Sequence, residues 1–146
     1  MSENFLAAYA KMMYCFLRNA IDHIPLMGQT TRIDRAFRLV QSEMFAKENG
    51  GRENVPKLLI LMTDGSQTED LGAEDPADIA DELRADGITV IVVGVGADVD
   101  PQELNFIAGG DDKTFTVSSF DQLINSDFTE KLTSATCDVG MYIHLA

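Results

Sequence analysis

Apolar residues recur at helical spacing from the start of the chain: Phe5, Tyr9, Met12, Phe16 and Ala20 on one stripe, Leu6, Met13, Leu17, Ile21 and Ile24 on another. Together the stripes leave almost no polar face between Glu3 and Ile24, which predicts a deeply buried helix or two shorter ones run together. Pro25 and Gly28 close it. A second helix carries Ile33, Ala36, Phe37, Val40 and Met44 on one face. Thr30 or Thr31 is its expected N-cap, and Asp34 stands in the first turn, where the helix dipole favours a carboxylate. Gly50-Gly51 ends the segment.

The pattern then changes. Val55 to Thr63 is an almost unbroken apolar run stopped by Asp64-Gly65, and apolarity without alternation predicts a strand covered on both faces, as in a parallel sheet. An acidic loop from Ser66 to Asp75 leads to a helix opened by Pro76, with Ile79 and Leu83 inward and Gly87 as its stop. Ile88 to Val95 is a second buried strand. Asp100-Pro101 opens a short helix that ends at Gly109-Gly110. Thr114 to Val117 is a short strand, and Ser118 or Ser119 caps a last helix running towards Leu132. Strands alternating with helices predict an α/β fold, a three-layer Rossmann-like open parallel sheet flanked by helices and joined by right-handed crossovers.

At 146 residues the chain is expected to form one domain with a core of its own. Charge narrows the partners: 11 Lys+Arg against 24 Asp+Glu give −13. Such a surface repels nucleic acid and anionic membrane, so neither is expected, whereas cations or basic protein surfaces suit it. No apolar run approaches the roughly 20 residues of a membrane-spanning helix. Glu3 precedes the first apolar stretch, Lys11 interrupts it and no small-residue cleavage site follows Leu17, so no signal peptide is read in this chain. Cys15 and Cys137 are too far apart for a redox or zinc motif. Cys15 is expected to be a buried small hydrophobe, and Cys137, read as lying beyond the last helix, is a candidate for a disulfide to another chain.

Ligands of open parallel sheets bind at the carboxyl ends of the strands. Three features converge there: Thr63-Asp64-Gly65, which sets a carboxylate at a strand tip; Gly28-Gln29-Thr30-Thr31, a hydroxyl-bearing loop before a helix; and Gly94-Val95-Gly96-Ala97-Asp98, a glycine-permissive strand exit. Each also has a plainer reading, as a turn, a cap and a weak half of a dinucleotide fingerprint. There is no Walker loop, and His23 and His144 have no acidic or nucleophilic partner at recognisable spacing, so catalysis is not expected.

In combination these segments resemble the von Willebrand factor type A domain. The run Val55–Gly65 is similar to that family's fourth strand and loop, and Ala85–Gly96 to the strand that comes next. Leu104–Ala108 and Phe115–Leu123 match the family's segments beyond that strand, and Ile24–Thr31 with Ala36-Phe37 resembles its threonine loop. The likeness covers roughly residues 20 to 137. The resemblance implies a metal-ion-dependent adhesion site made of an Asp-x-Ser-x-Ser loop, a threonine and an aspartate. Thr31, with Thr30 as second choice, matches the threonine and Asp64 the aspartate; Mg²⁺ or Mn²⁺ suits such oxygen ligands. No Asp-x-Ser-x-Ser occurs in the chain.

The expectation is therefore a type A domain truncated or spliced at its N-terminus, missing its first strands, with weak cation binding at Asp64, Thr31 and Thr30. Glu69, Asp70 and Asp75 are the next candidate ligands. The chain divides into an apolar N-terminal helix (1–24), a partial type A domain (25–137) and a tail (138–146). The resemblance implies an adhesion or matrix module, extracellular as part of a larger protein, that binds a protein ligand such as collagen or another matrix component. The alternatives are an intracellular scaffold domain within a larger complex and a nucleotide-binding enzyme using Gly94-x-Gly96. Residues 57–62 are expected to form an edge strand open to self-association.

Overall fold

A computed structural model describes the backbone of residues 3–25, 28 and 30–141, and the side chains of residues 12–25, 28 and 30–139. The elements run in the order α1 (Glu3–Asp22), α2 (Ile33–Leu39), β1 (Lys57–Thr63), α3 (Pro76–Ala85), β2 (Ile88–Val95), α4 (Pro101–Ala108), β3 (Thr114–Val117) and α5 (Ser126–Met141). The strands form one parallel sheet in the order β1-β2-β3, with Leu59 beside Val90, Leu61 beside Val92 and Val93 beside Phe115. This is the open, helix-flanked α/β sheet that the alternation predicts.

The side chains of β2 divide between two layers because successive residues of a strand face opposite ways. Ile88, Val90 and Val92 enter the main core with Ile33 and Phe37 of α2, Ile79 and Leu83 of α3, and Leu104 and Ile107 of α4. Val93 and Val95 join Val117 of β3 on the other face, under Phe128 and Leu132 of α5. Phe115 and Phe128 meet edge to face at 6.3 Å. In β1 the packed residues are Leu59 and Leu61; Ile60 and Met62, on the second face, stay 43% and 51% exposed.

Local chemistry explains the boundaries. The Asp75 carboxylate accepts from Ala77 N–H and that of Asp100 from Gln102 N–H (2.8 Å each), each ahead of a proline in the first helical turn. Gly109, with φ 77°, ends α4 in a left-handed conformation that a side chain would resist.

Several local expectations are corrected. The helix at the start of the chain forms, but every described side chain from Met12 to Pro25 is exposed, because α2, α3 and α4 fill one sheet face and α5 covers β2 and β3 on the other. The burial of Phe5, Leu6 and Tyr9 lies outside the described residues. Cys15 is accordingly an exposed thiol, and Cys137 sits inside α5, also exposed and free. The last helix starts at Ser126, not at Ser118 or Ser119, because residues 120–124 form a 3₁₀ turn and Asn125 Oδ1 accepts from Asp127 N–H (2.8 Å). It then runs past Leu132 to Met141. The second helix passes into a π turn at Val40–Met44, which leaves Met44 exposed; Ala36 is exposed as well.

Candidate functional site

The acidic loop after β1, residues 64–75, lies against the start of α2 at the carboxyl end of the sheet. Thr68 N–H donates to the Thr31 carbonyl (2.9 Å), tying the threonine segment to this loop through the backbone. Neither Thr30 nor Thr31 caps α2. The N-cap is Arg32, which has no side-chain cap bond, and Gln67 from the loop supplies the acceptor instead: its Oε1 takes the Asp34 N–H at 2.7 Å. Gln67 Nε2 donates to the Glu74 carbonyl (2.7 Å), so one amide side chain holds both ends of the junction.

Arg32 and Asp34 form the centre of the junction. Arg32 Nε and Nη2 donate to the two oxygens of Asp34 at 2.9 and 2.7 Å, the parallel fork that a guanidinium and a carboxylate favour. Glu74 N–H donates to the same carboxylate at 3.2 Å, and Arg32 Nη1 reaches Asp70 at 2.7 Å. The Asp34 side chain is only 3% exposed. The Arg32 guanidinium, hydrogen-bonded to it, holds its carboxyl well below the usual carboxylate range against the opposing effect of burial. A second clamp lies further along α2, where Arg38 Nη2 donates to Glu74 (2.6 Å) and Nη1 to Glu82 of α3 (2.5 Å). Arg38 lowers the pKa of both glutamates through these bonds.

A groove of about 660 Å³ opens between this loop and the start of α4, lined by Gln67, Glu69, Asp70, Glu74, Asp75 and Asp100 among others. Most of its carboxylates are engaged within the fold: Asp70 with Arg32, Glu74 with Arg38, and Asp75 and Asp100 as helix caps. Asp64 and both threonines are exposed, and no hydrogen bond from a described residue reaches the Asp64 carboxylate or the Thr30 and Thr31 hydroxyls. The neighbouring Thr63 hydroxyl is turned inward to donate to the Gly65 carbonyl (2.7 Å). Among the described residues no group of three or more His, Cys, Asp or Glu side chains is placed to hold a metal. Mg²⁺ takes six oxygens, several of them from water, and is held through one or two carboxylates. Among the described residues the Asp64 carboxylate and the two threonine hydroxyls are too few to enclose such an ion.

Comparison with known proteins agrees with the fold. Residues 15–131 match the von Willebrand factor type A domain. The chain belongs to the von Willebrand factor type A family. Among its relatives, the mouse (Mus musculus) collagen alpha-6(VI) chain is 41% identical over 108 residues, covering 73% of this chain and 4% of that protein. Mouse integrin alpha-M is 33% identical over 123 residues, covering 79% of this chain and 10% of that one. Proximal thread matrix protein 1 from the mussel byssus, solved with a zinc-occupied MIDAS motif, superposes with a TM-score of 0.72 at 28% identity, covering 83% of this chain and 30% of that one. The chain thus spans a small part of the relatives it matches. Within a type A domain, the Gly94-x-Gly96 exit has a packing role: a Cβ on Gly94 would lie 2.4 Å from Leu104 Cδ1 and 3.2 Å from Val99 Cγ2. The junction of Gln67 with Arg32 and Asp34 could not be found by spacing, since its contacts between loop and helix join residues 33 and 40 apart. His144 and Gln29 lie outside the described residues.

Proposed function

We infer that this type A domain is an extracellular adhesion or matrix module that binds a protein ligand at the carboxyl end of its sheet, through the exposed Asp64 and Thr31 and the loop behind them. The match of residues 15–131 to the family carries the reading, since matrix collagens and an integrin stand among the relatives. The backbone bond between Thr68 and Thr31 supports the location, because it fixes the threonine segment beside the loop that begins with Asp64. The adhesion site is incomplete. Asp64, Thr31 and Thr30 offer too few oxygens to hold Mg²⁺ or Mn²⁺ unaided, so an ion there is weakly held and ligand recognition rests on the protein surface itself.

Two measurements test this together. Calorimetric titration is expected to give Mg²⁺ and Mn²⁺ affinities no better than millimolar, the range of ligand-poor sites. Binding to immobilised collagen is expected to survive chelation and to weaken with Asp64→Ala. Micromolar cation binding lost with Asp64→Ala would show that further ligands, first among them Glu69, Asp70 and Asp75, complete the site. Collagen binding unchanged in that variant would remove this face from the reading.

A further inference from the structure

Among the described residues, two apolar surfaces stand exposed to solvent. On α1, Met13, Phe16, Leu17 and Ile21 fall at i, i+3, i+4 and i+8, one wide stripe, and all are exposed, Phe16 at 74%; Ile24, just past the helix, is exposed as well. On β1, Ile60 and Met62 stand exposed on the α5 side of the sheet, over the strand that α5 does not reach. Beside them a groove of about 730 Å³, lined by Ile91, Phe115, Lys131 and Ala135, runs between the sheet and α5. Ile60 is the register neighbour of Ile91, so open strand and groove are continuous.

We propose that the occupant is a second copy of this chain, in a two-fold dimer in which α1 of each copy lies over the open β1 face of the other. Area favours it. An aromatic side chain such as Phe16 buries on the order of 150–250 Å². With the aliphatic members of the stripe, two reciprocal seams approach the roughly 800 Å² per partner of a standard interface. Charge favours it as well. The chain carries −13, yet residues 3–22 hold two acids and two bases, and residues 57–63 hold Lys57 alone. The repulsion is concentrated elsewhere, with nine carboxylates and one guanidinium between residues 64 and 86. Two copies can therefore meet through α1 and β1 while their acidic ends stay apart. Reciprocal contact is the form a two-fold interface takes, each surface used once by each copy.

Sedimentation equilibrium at micromolar concentration tests the arrangement, in reducing buffer because Cys15 and Cys137 are exposed thiols. The unmodified chain is expected to be a dimer. Phe16→Lys and Met62→Glu each alter an exposed side chain, so circular dichroism should show an intact fold. Alone, each variant should associate about tenfold or more weakly, a charge being placed in an apolar seam. Mixed in equal amounts they should dimerise again, since one seam is then unmodified and the other sets Lys against Glu. Four outcomes overturn the proposal: a monomeric parent chain, an effect of Phe16→Lys alone (helix pairing with helix), an effect of Met62→Glu alone (strand edges pairing), or no recovery in the mixture.

Discussion

Asp34 shows how one buried carboxylate can organise a surface loop. It accepts from Arg32 and Glu74, and its own N–H is held by Gln67. Asp34→Asn keeps the shape and removes the charge; it is expected to cost about 1.5–3 kcal/mol, the range for hydrogen bonds to charged groups, read as a shift in the urea midpoint at neutral pH. The sign of the pH effect comes from the lowered pKa. The folded state binds this proton less readily than the unfolded chain, whose aspartates titrate near ~3.9. The stabilisation is therefore complete above that value and is lost as pH falls below it, so the gap between parent and variant should close in acid. Gly94 is constrained in a different way. Leu104 is only 2% exposed and cannot swing clear of an added Cβ, so Gly94→Ala should cost about 1–3 kcal/mol in thermal unfolding, as overpacked cores do.

At the level of elements, the parallel strands and the proline-opened helices were legible from sequence because each is specified locally. Ile88–Val95 is apolar throughout and lies at the centre of the sheet, while Asp75-Pro76 and Asp100-Pro101 combine a cap with a fixed φ. What could not be read depended on distant residues. Thr30 and Thr31 have suitable side chains for capping α2, but Gln67 reaches the helix start from the loop. The stripes of α1 announce burial without saying against what, and within one copy α2 to α5 already cover the sheet except over one face of β1. For the candidate site, sequence put Asp64 directly after a strand, as the structure has it, but could not show that the nearby carboxylates are engaged by Arg32, Arg38 and two helix starts. The division within α2 is itself testable: Phe37→Ala, 1% exposed in the parent, should cost about 3–5 kcal/mol, whereas Met44→Ala, at an exposed position, should stay within about 0.5 kcal/mol by the same denaturation measurement.

Across the molecule, β2 is the only described strand with neighbours on both sides, and its two faces feed both cores. Amide exchange should accordingly be slowest in Val90–Val93 and fastest in α1, with β1 between them. The same layout decides how the domain would carry tension. A pull applied at residues 25 and 141 runs along α5 from its end, where each turn can peel away before the next is strained. Separating β1 from β2 is a different event, because the whole Lys57–Thr63 ladder must slide at once. An optical-trap trace should therefore show an early, low-force release the length of α5, followed by a single abrupt rupture of the sheet. α5 is then the yielding element, and the load passes to the ladders of the sheet, four pairs long between β2 and β3 and seven between β1 and β2.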